Sequence, residues 1–272
     1  MNELVGLFPA AGRGSRLGTI PCSKEIMPLG FRSNHEASDE TAVQNTWNPV
    51  TAIETHLAAF RLAGVQRVGI VIGQAKWDIV RYLGDGLRYG LPIAYFFQEH
   101  LYGMPFALDL AFPWLANATV LFSMPDTLIT PKETLAKLVA HHQQQNADIT
   151  LGLFPTDTPY KFGMVELDEN GRIIQFVDKP SQTNLKLMWG CAVWSPKFTR
   201  FMHHYLINLQ TPNKEIVLSD LFAAALEAGH HFSSFQMKNG HYHDIGTPES
   251  FQAAVYDLAR QQVANQDEIS GK

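Results

Sequence analysis

At 272 residues the chain can fold as one large domain or two small ones around a substantial core. Hydrophobic residues make up 46% and charged residues 17%, a globular rather than a disordered composition. A net charge of −5 argues against nucleic acid as a partner, because phosphate-backbone binding needs a basic face. It leaves room for a small anionic ligand offset by local cations or a metal ion.

Two cysteines, Cys22 and Cys191, lie far apart in no metal-like spacing, which fits a reducing compartment. The N-terminus shows no basic segment followed by a long apolar stretch, and no apolar run approaches the ~20 residues that cross a bilayer. The expectation is a cytoplasmic protein with no membrane partner.

The first half alternates short apolar runs with amphipathic stretches. LVGLFPA (4–10), VGIVIG (68–73), IAYFF (93–97) and TVLFSM (119–124) read as strands. PVTAIETHLAAFRLAG, AKWDIVRYLGDG and MPFALDLAFPWLA between them carry apolar residues at helical spacing, and the first two end in glycine. PKETLAKLVAHHQQQN predicts a further helix and ADITLGLF a fifth core strand. After about residue 155, MVEL and RIIQFV predict a hairpin turning at Asn170-Gly171. A strand LMWGCAVW follows, then helices over 196–209 and 218–228, a strand near 232–237 and a last helix from about 248. Residues 31–46 are polar and aperiodic and read as an exposed loop insertion, and 263–272 read as a frayed tail. With no repeat or low-complexity linker, residues 1–262 read as a single α/β domain, its sheet mixed but mostly parallel and covered by helices.

PAAGRGSRLGTIPCSK (9–24) follows the first strand with three glycines, two arginines and a lysine. Glycine lets a backbone approach a ligand closely, and the cations point to an anion. A dinucleotide site requires an acidic residue at the end of the second strand to hold a ribose. Here VGIVIG ends in Gly73-Gln74-Ala75, and the loop is more cationic than a dinucleotide requires. Asp126 directly follows an apolar strand, at the carboxyl edge where open sheets bind ligands.

PAAGRGSRL resembles the nucleotide loop of the sugar-phosphate nucleotidyltransferases, and SKEIMPLG their lysine-bearing segment. FFQEHLYGMPFAL resembles the stretch with their base-reading Gln and following Gly. VLFSMPDTLI stands in the place of their metal-binding Asp, YKFGMVELDENGRIIQFVDKPS in that of a hairpin closing on an acid-Lys-Pro triplet, and HYHDIGTPESF in that of Asp-x-Gly-Thr-Pro. The six segments occur in family order between residues 9 and 251.

The resemblance implies a Rossmann-like three-layer α/β/α nucleotidyltransferase domain of the GT-A-like type. It implies transfer of a nucleotidyl group from a nucleoside triphosphate, dTTP or UTP, to a sugar 1-phosphate such as glucose 1-phosphate. Ala11, Gly12, Arg13, Gly14 and Ser15 would cradle phosphate, and Gln98 and Gly103 would receive the base. Arg16 would bind the leaving pyrophosphate and Lys24 the α-phosphate or sugar phosphate. Gly163, Asp178 and Lys179 would face the sugar phosphate, while Asp126 and Asp244 would hold Mg²⁺, which prefers hard oxygen ligands. Many relatives self-associate, so a homo-oligomer is among the implied partners. His243, beside Asp244, is read as a packing or site-adjacent residue, and the paired histidines at 141–142, 203–204 and 230–231 as structural.

The chain departs from the family pattern at three places. Met124-Pro125 precedes Asp126 where many relatives have glycine, and proline removes an N–H and fixes φ. Asp178 replaces the usual Glu. Arg16 and Lys24 stand eight positions apart, the spacing of some cytidylyltransferases for small phosphate esters rather than of the thymidylyl- and uridylyltransferases. Two alternatives therefore stand beside the main expectation: a cytidylyltransferase for another ester, and a catalytically silent relative that binds nucleotide or sugar nucleotide.

Overall fold

The first strand, β1 (Leu4–Ala10), shows why the protein has three layers. Val5 and Leu7 join one buried cluster and Phe8 and Ala10 another, because successive side chains of a strand leave opposite faces. A strand apolar on both faces must be covered on both. The computed structural model describes residues 2–33, 47–209, 215–238 and 240–270, without the side chains of 33, 47 and 261–270.

A two-stranded ribbon, β2 (Pro28–Ser33) and β3 (Trp47–Thr51), leads into helix α1 (Ala52–Leu62). Residues 31–33, expected in the exposed loop, thus belong to a strand, and 34–46 lie outside the described residues. Helix α1 starts at Ala52, later than its amphipathic pattern suggests. Thr51 and Glu54 form a capping box there, each side chain serving the other's backbone N–H. Then come β4 (Arg67–Gly73), α2 (Trp77–Leu83), β5 (Ile93–Gln98) and two short helices, α3 (Met104–Asp109) and α4 (Phe112–Leu115). The single amphipathic stretch expected over 104–116 breaks because Pro113 belongs in a helix's first turn, where its missing N–H costs nothing.

The chain continues through β6 (Thr119–Ser123), β7 (Thr127–Thr130), α5 (Thr134–Gln145) and β8 (Ile149–Pro155). A hairpin follows, β9 (Gly163–Leu167) and β10 (Ile173–Asp178). Its turn holds Asn170-Gly171 as expected, but the Asp168 carboxylate closes it, accepting from the N–H groups of Asn170 and Arg172 at 2.9 and 2.8 Å. Last come β11 (Leu187–Trp194), α6 (Pro196–Asn208), α7 (Leu218–Glu227), β12 (Phe232–Gln236), β13 (His241–Asp244) and α8 (Pro248–Ser270). Helix α8 runs through most of the segment expected to fray; ARQQVANQDE offers good helix formers with no Gly or Pro.

Among the described residues the main sheet has nine strands. Strands β6, β1, β4 and β5 are neighbours in that order and pair in parallel. Strand β11 runs antiparallel to β6, β8 and β9, and β12 is parallel to β8. Every strand but β11 and β10 therefore points the same way, which makes the sheet mixed but mostly parallel. Helices α1, α2 and α5 cover one face, burying Ile53, Leu57, Ile79, Leu83 and Leu138. Helices α3, α4, α6 and α7 cover the other with Leu108, Leu115, Phe198 and Phe222. A second ribbon, β7 with β13, stands apart from the sheet, and α8 packs on it through a small cluster of Leu128, Ile245 and Ala254.

Candidate active site

None of residues 11–20, in the loop leaving β1, is buried. The loop turns at Gly14, whose φ of 65° is left-handed, and enters a single 3-10 turn over Ser15–Leu17. A Cβ at Gly12 would meet no atom within 4 Å, so this face is open for a ligand to approach. Lys24 begins a second such turn, and its position is determined from outside the loop. The Asp78 carboxylate, on α2, accepts from Ser23 N and Ser23 Oγ at 2.6 and 2.7 Å. Lys76 donates to Glu25 at 2.7 Å, both side chains being almost wholly buried. Burial pushes the Glu25 carboxyl pKa up, against the pull of the Lys76 ammonium.

Asp126 sits in the turn between β6 and β7, and Asp244 ends β13. Ribbon register pairs Asp244 with Thr127, and Ile245 N–H donates to Asp126 C=O at 3.2 Å, so the two aspartates come side by side from 118 positions apart. Lys24 Nζ forms a close ion pair with Asp126 Oδ2. Arg16 approaches Asp244 at 3.7 Å, and Gly246 N–H donates to the same carboxylate at 2.8 Å. Burial alone would lower the Lys24 pKa, but Asp126, with Glu25 and Asp244, holds it above its ordinary value. Burial and then the two aspartates push the Tyr242 phenol well up.

Two cavities meet at Asp126. One, of about 470 Å³, is lined by Ala11, Gly12, Arg13, Lys24, Gln98 and Gly103. The other, of about 540 Å³, is lined by Arg16, Gly163, Asp178, Lys179, Tyr242 and Asp244. Met104, Met124, Asp126 and Glu215 border both. Twelve of the fourteen residues singled out in the sequence thus face one continuous cleft; Gly14 and Ser15 shape the loop without lining it.

The backbone gives a further reason for glycine at 103. Its φ is 114°, and a Cβ there would strike the Ile216 carbonyl, so backbone packing requires it as well as room in the cleft. Lys179 is a non-glycine residue in the left-handed region (φ 43°), its N–H donating to Phe162 C=O at 3.0 Å. His243 lies 3.7 Å from Asp257, a packing contact with α8.

Glu25, Lys76, Asp78, Trp189, Ser219 and Glu215 were not legible as site residues. Trp189 Nε1–H donates to Ser219 Oγ at 3.0 Å beneath Gly163, at the floor of the second cavity. No local pattern marks such residues, because each acts through a partner distant in sequence. Among the described residues no group of three or more His, Cys, Asp or Glu side chains gathers as a metal cage.

Fold and cleft together define an α/β protein of the Rossmann-like class, with its cleft at the carboxyl ends of the parallel strands β1, β4, β5 and β6. More narrowly, residues 45–261 match the model of the family described as nucleotidyl transferase, and the chain belongs to that family. The matched region begins after the glycine loop and Lys24. Over 249 residues the chain is 25% identical to the low-salt glycan biosynthesis nucleotidyltransferase of Haloferax volcanii, covering 90% of this chain and 63% of that one. It is 26% identical to a glucose-1-phosphate thymidylyltransferase of Streptomyces griseus (70% and 52% covered). Against a mannose-1-phosphate guanylyltransferase of Mycobacterium tuberculosis it is 28% identical (76% and 55% covered). The chain thus spans between about half and just under two thirds of these relatives. A crystal structure described as a glucose-1-phosphate thymidylyltransferase from Bacillus anthracis superposes with a TM-score of 0.78 over 94% of this chain and 95% of that one, at 22% identity. That likeness speaks to the fold.

Proposed function

We propose that the protein transfers a nucleotidyl group from a nucleoside triphosphate to a sugar 1-phosphate, releasing pyrophosphate. The observation that carries this reading is the pair of cavities joined at Asp126. One offers a glycine loop, two cations and a buried amide, a set suited to a triphosphate and a base. The other offers Arg16, Lys161 and Lys179 beside the carboxylates of Asp126, Asp178, Glu215 and Asp244, a set suited to a phosphorylated sugar and a metal ion. The relatives, which include a thymidylyltransferase and a guanylyltransferase of sugar 1-phosphates, support the reaction class.

The chemistry then follows from placement. A phosphate oxygen of the sugar 1-phosphate forms a bond to the α-phosphorus while the bond from that phosphorus to the α–β bridging oxygen breaks. Pyrophosphate leaves with the electron pair. The attacking oxygen is already ionised, so no protein nucleophile or general base is needed. What the reaction needs is two polyanions held in line and their growing charge neutralised. Lys24, at the junction of the cavities, is positioned to meet the α-phosphate and stays protonated beside Asp126. Loop amides would hold the β- and γ-phosphates; Arg16, which the resemblance assigns to the departing pyrophosphate, lines the second cavity beside Asp244. Lys179 would hold the sugar phosphate, with Asp178 and Gly163 against the ring.

Asp126 and Asp244 fit Mg²⁺, because two adjacent carboxylates completed by phosphate oxygens form the hard-oxygen set it favours. When bound there it would offset phosphate charge as a Lewis acid. Of the nucleotides, dTTP or UTP with glucose 1-phosphate is the pairing we favour.

Pyrophosphate release tests this reading, with Mg²⁺, each common nucleoside triphosphate or dTTP, and a panel of sugar 1-phosphates. We expect release with dTTP or UTP and glucose 1-phosphate. Release with CTP and non-sugar phosphate esters alone would overturn the sugar assignment, and nucleotide binding without release from any pair would overturn the enzyme assignment.

A further inference from the structure

We propose that His56 is a positioning residue of the active site: it spans and fixes the β6–β7 turn that aims Asp126. The inference rests on the reading of Asp126 as a carboxylate of the reacting centre. His56 is buried at the middle of α1, edge-on to Phe8 at a centroid distance of 5.8 Å. Its ring reaches both ends of the turn. Nε2 lies 2.9 Å from Thr127 C=O, and Nδ1 lies 2.9 Å from Ser123 Oγ. The Thr127 carbonyl can only accept, so Nε2 carries the proton and Nδ1 accepts from the Ser123 hydroxyl.

The turn needs such a clamp. Pro125, directly before Asp126, contributes no N–H and has a fixed φ, so the turn loses one means of internal closure. Its remaining internal bond is Thr127 Oγ1–H to Met124 C=O at 2.8 Å. On its outer side Asp126 C=O accepts from Ile245 N–H. His56 therefore supplies the tie across Ser123 and Thr127, and it does so from a helix packed in the core. A carboxylate swung by about 1 Å would misplace the charges it serves, and such displacements cost on the order of 100-fold in rate.

Three variants and two readouts test the clamp. His56→Leu should lower kcat at least tenfold while the KM for nucleoside triphosphate changes less than threefold. Hydrogen–deuterium exchange should rise in the peptide covering 121–130, with the peptides of α5 and β8 unchanged. His56→Gln, whose amide can present a donor and an acceptor at similar separation, should recover most of kcat and of the protection. Ser123→Ala should act in the same direction and be non-additive with His56→Leu. If kcat and exchange at 121–130 stay at wild-type levels in His56→Leu while only Tm falls, His56 is a core residue and the clamp is wrong. If the wild type itself releases no pyrophosphate, the functional reading fails, and the exchange measurement still decides whether the turn is held by His56.

Discussion

At the scale of single residues, the cleft concentrates charge of both signs in a few ångströms. Asp126→Asn or Asp244→Asn removes one of the two adjacent carboxylates without changing side-chain size. We expect metal-dependent turnover to fall by about 100- to 1,000-fold with the fold intact; circular dichroism and pyrophosphate release at saturating substrate check both halves. A wild-type rate in either variant would refute the metal assignment. Gly103→Ala tests a structural requirement. With φ at 114° and the Ile216 carbonyl in the way, the added methyl should destabilise the protein by more than about 1 kcal/mol, read from urea unfolding. An unchanged midpoint would mean that the Gly103–Ile216 approach relaxes at no cost.

At the scale of elements, much depends on supports hidden beneath short turns. The 3-10 turn bearing Lys24 rests on the buried Glu25–Lys76 pair and on Asp78. Lys76→Met leaves Glu25 buried and unpaired, and should cost about 3–5 kcal/mol. Adding Glu25→Gln should return most of that loss, because what hurts is the orphaned charge. If the double variant is no more stable than Lys76→Met, the pair acts through packing instead. Thr51→Ala removes the α1 cap and should cost about 1 kcal/mol, seen as a lower thermal midpoint.

These supports also mark the limit of what the sequence makes legible. Strands β1, β4, β6 and β8 were readable because each is an apolar run buried on both faces, and β5 because it is an apolar run, though a half-buried one. Arg16, Lys24, Asp126 and Asp244 were readable because they sit in motifs of recognisable order. Ribbons β2–β3 and β7–β13 were not. HYHD and TLIT carry no hydrophobic period, and what makes them strands is a partner more than a hundred positions away. His56 and Lys76 were equally silent, one inside an ordinary amphipathic pattern and the other in a loop. Their meaning lies in contacts at 71 and 51 positions' separation.

At the scale of the whole molecule, two buried histidines link stability to pH. Burial pushes His56 and His142 down to about 4, from an ordinary 6.5. Between those values the unfolded chain binds a proton that the folded protein refuses. The stabilisation is therefore complete above about pH 6.5 and is lost as pH falls towards 4. Each histidine should subtract about 2 kcal/mol from the unfolding free energy by pH 5, measured by urea denaturation at pH 7.5 and 5. His142→Asn should flatten that slope, and a slope equal to the wild type's would show that His142 is not one of its sources.

The β7–β13 ribbon has a consequence in the order of synthesis. Lys24 and Asp126 have left the ribosome long before His241–Asp244 is made, and among the described residues β13 is the only strand that pairs with β7. A nascent chain halted at residue 240 would hold the glycine loop and one of the two aspartates, and a bare strand edge, which invites pairing with other chains. On the proposed function, competence for transfer arises only once β13 zips onto β7 and brings Asp244 beside Asp126.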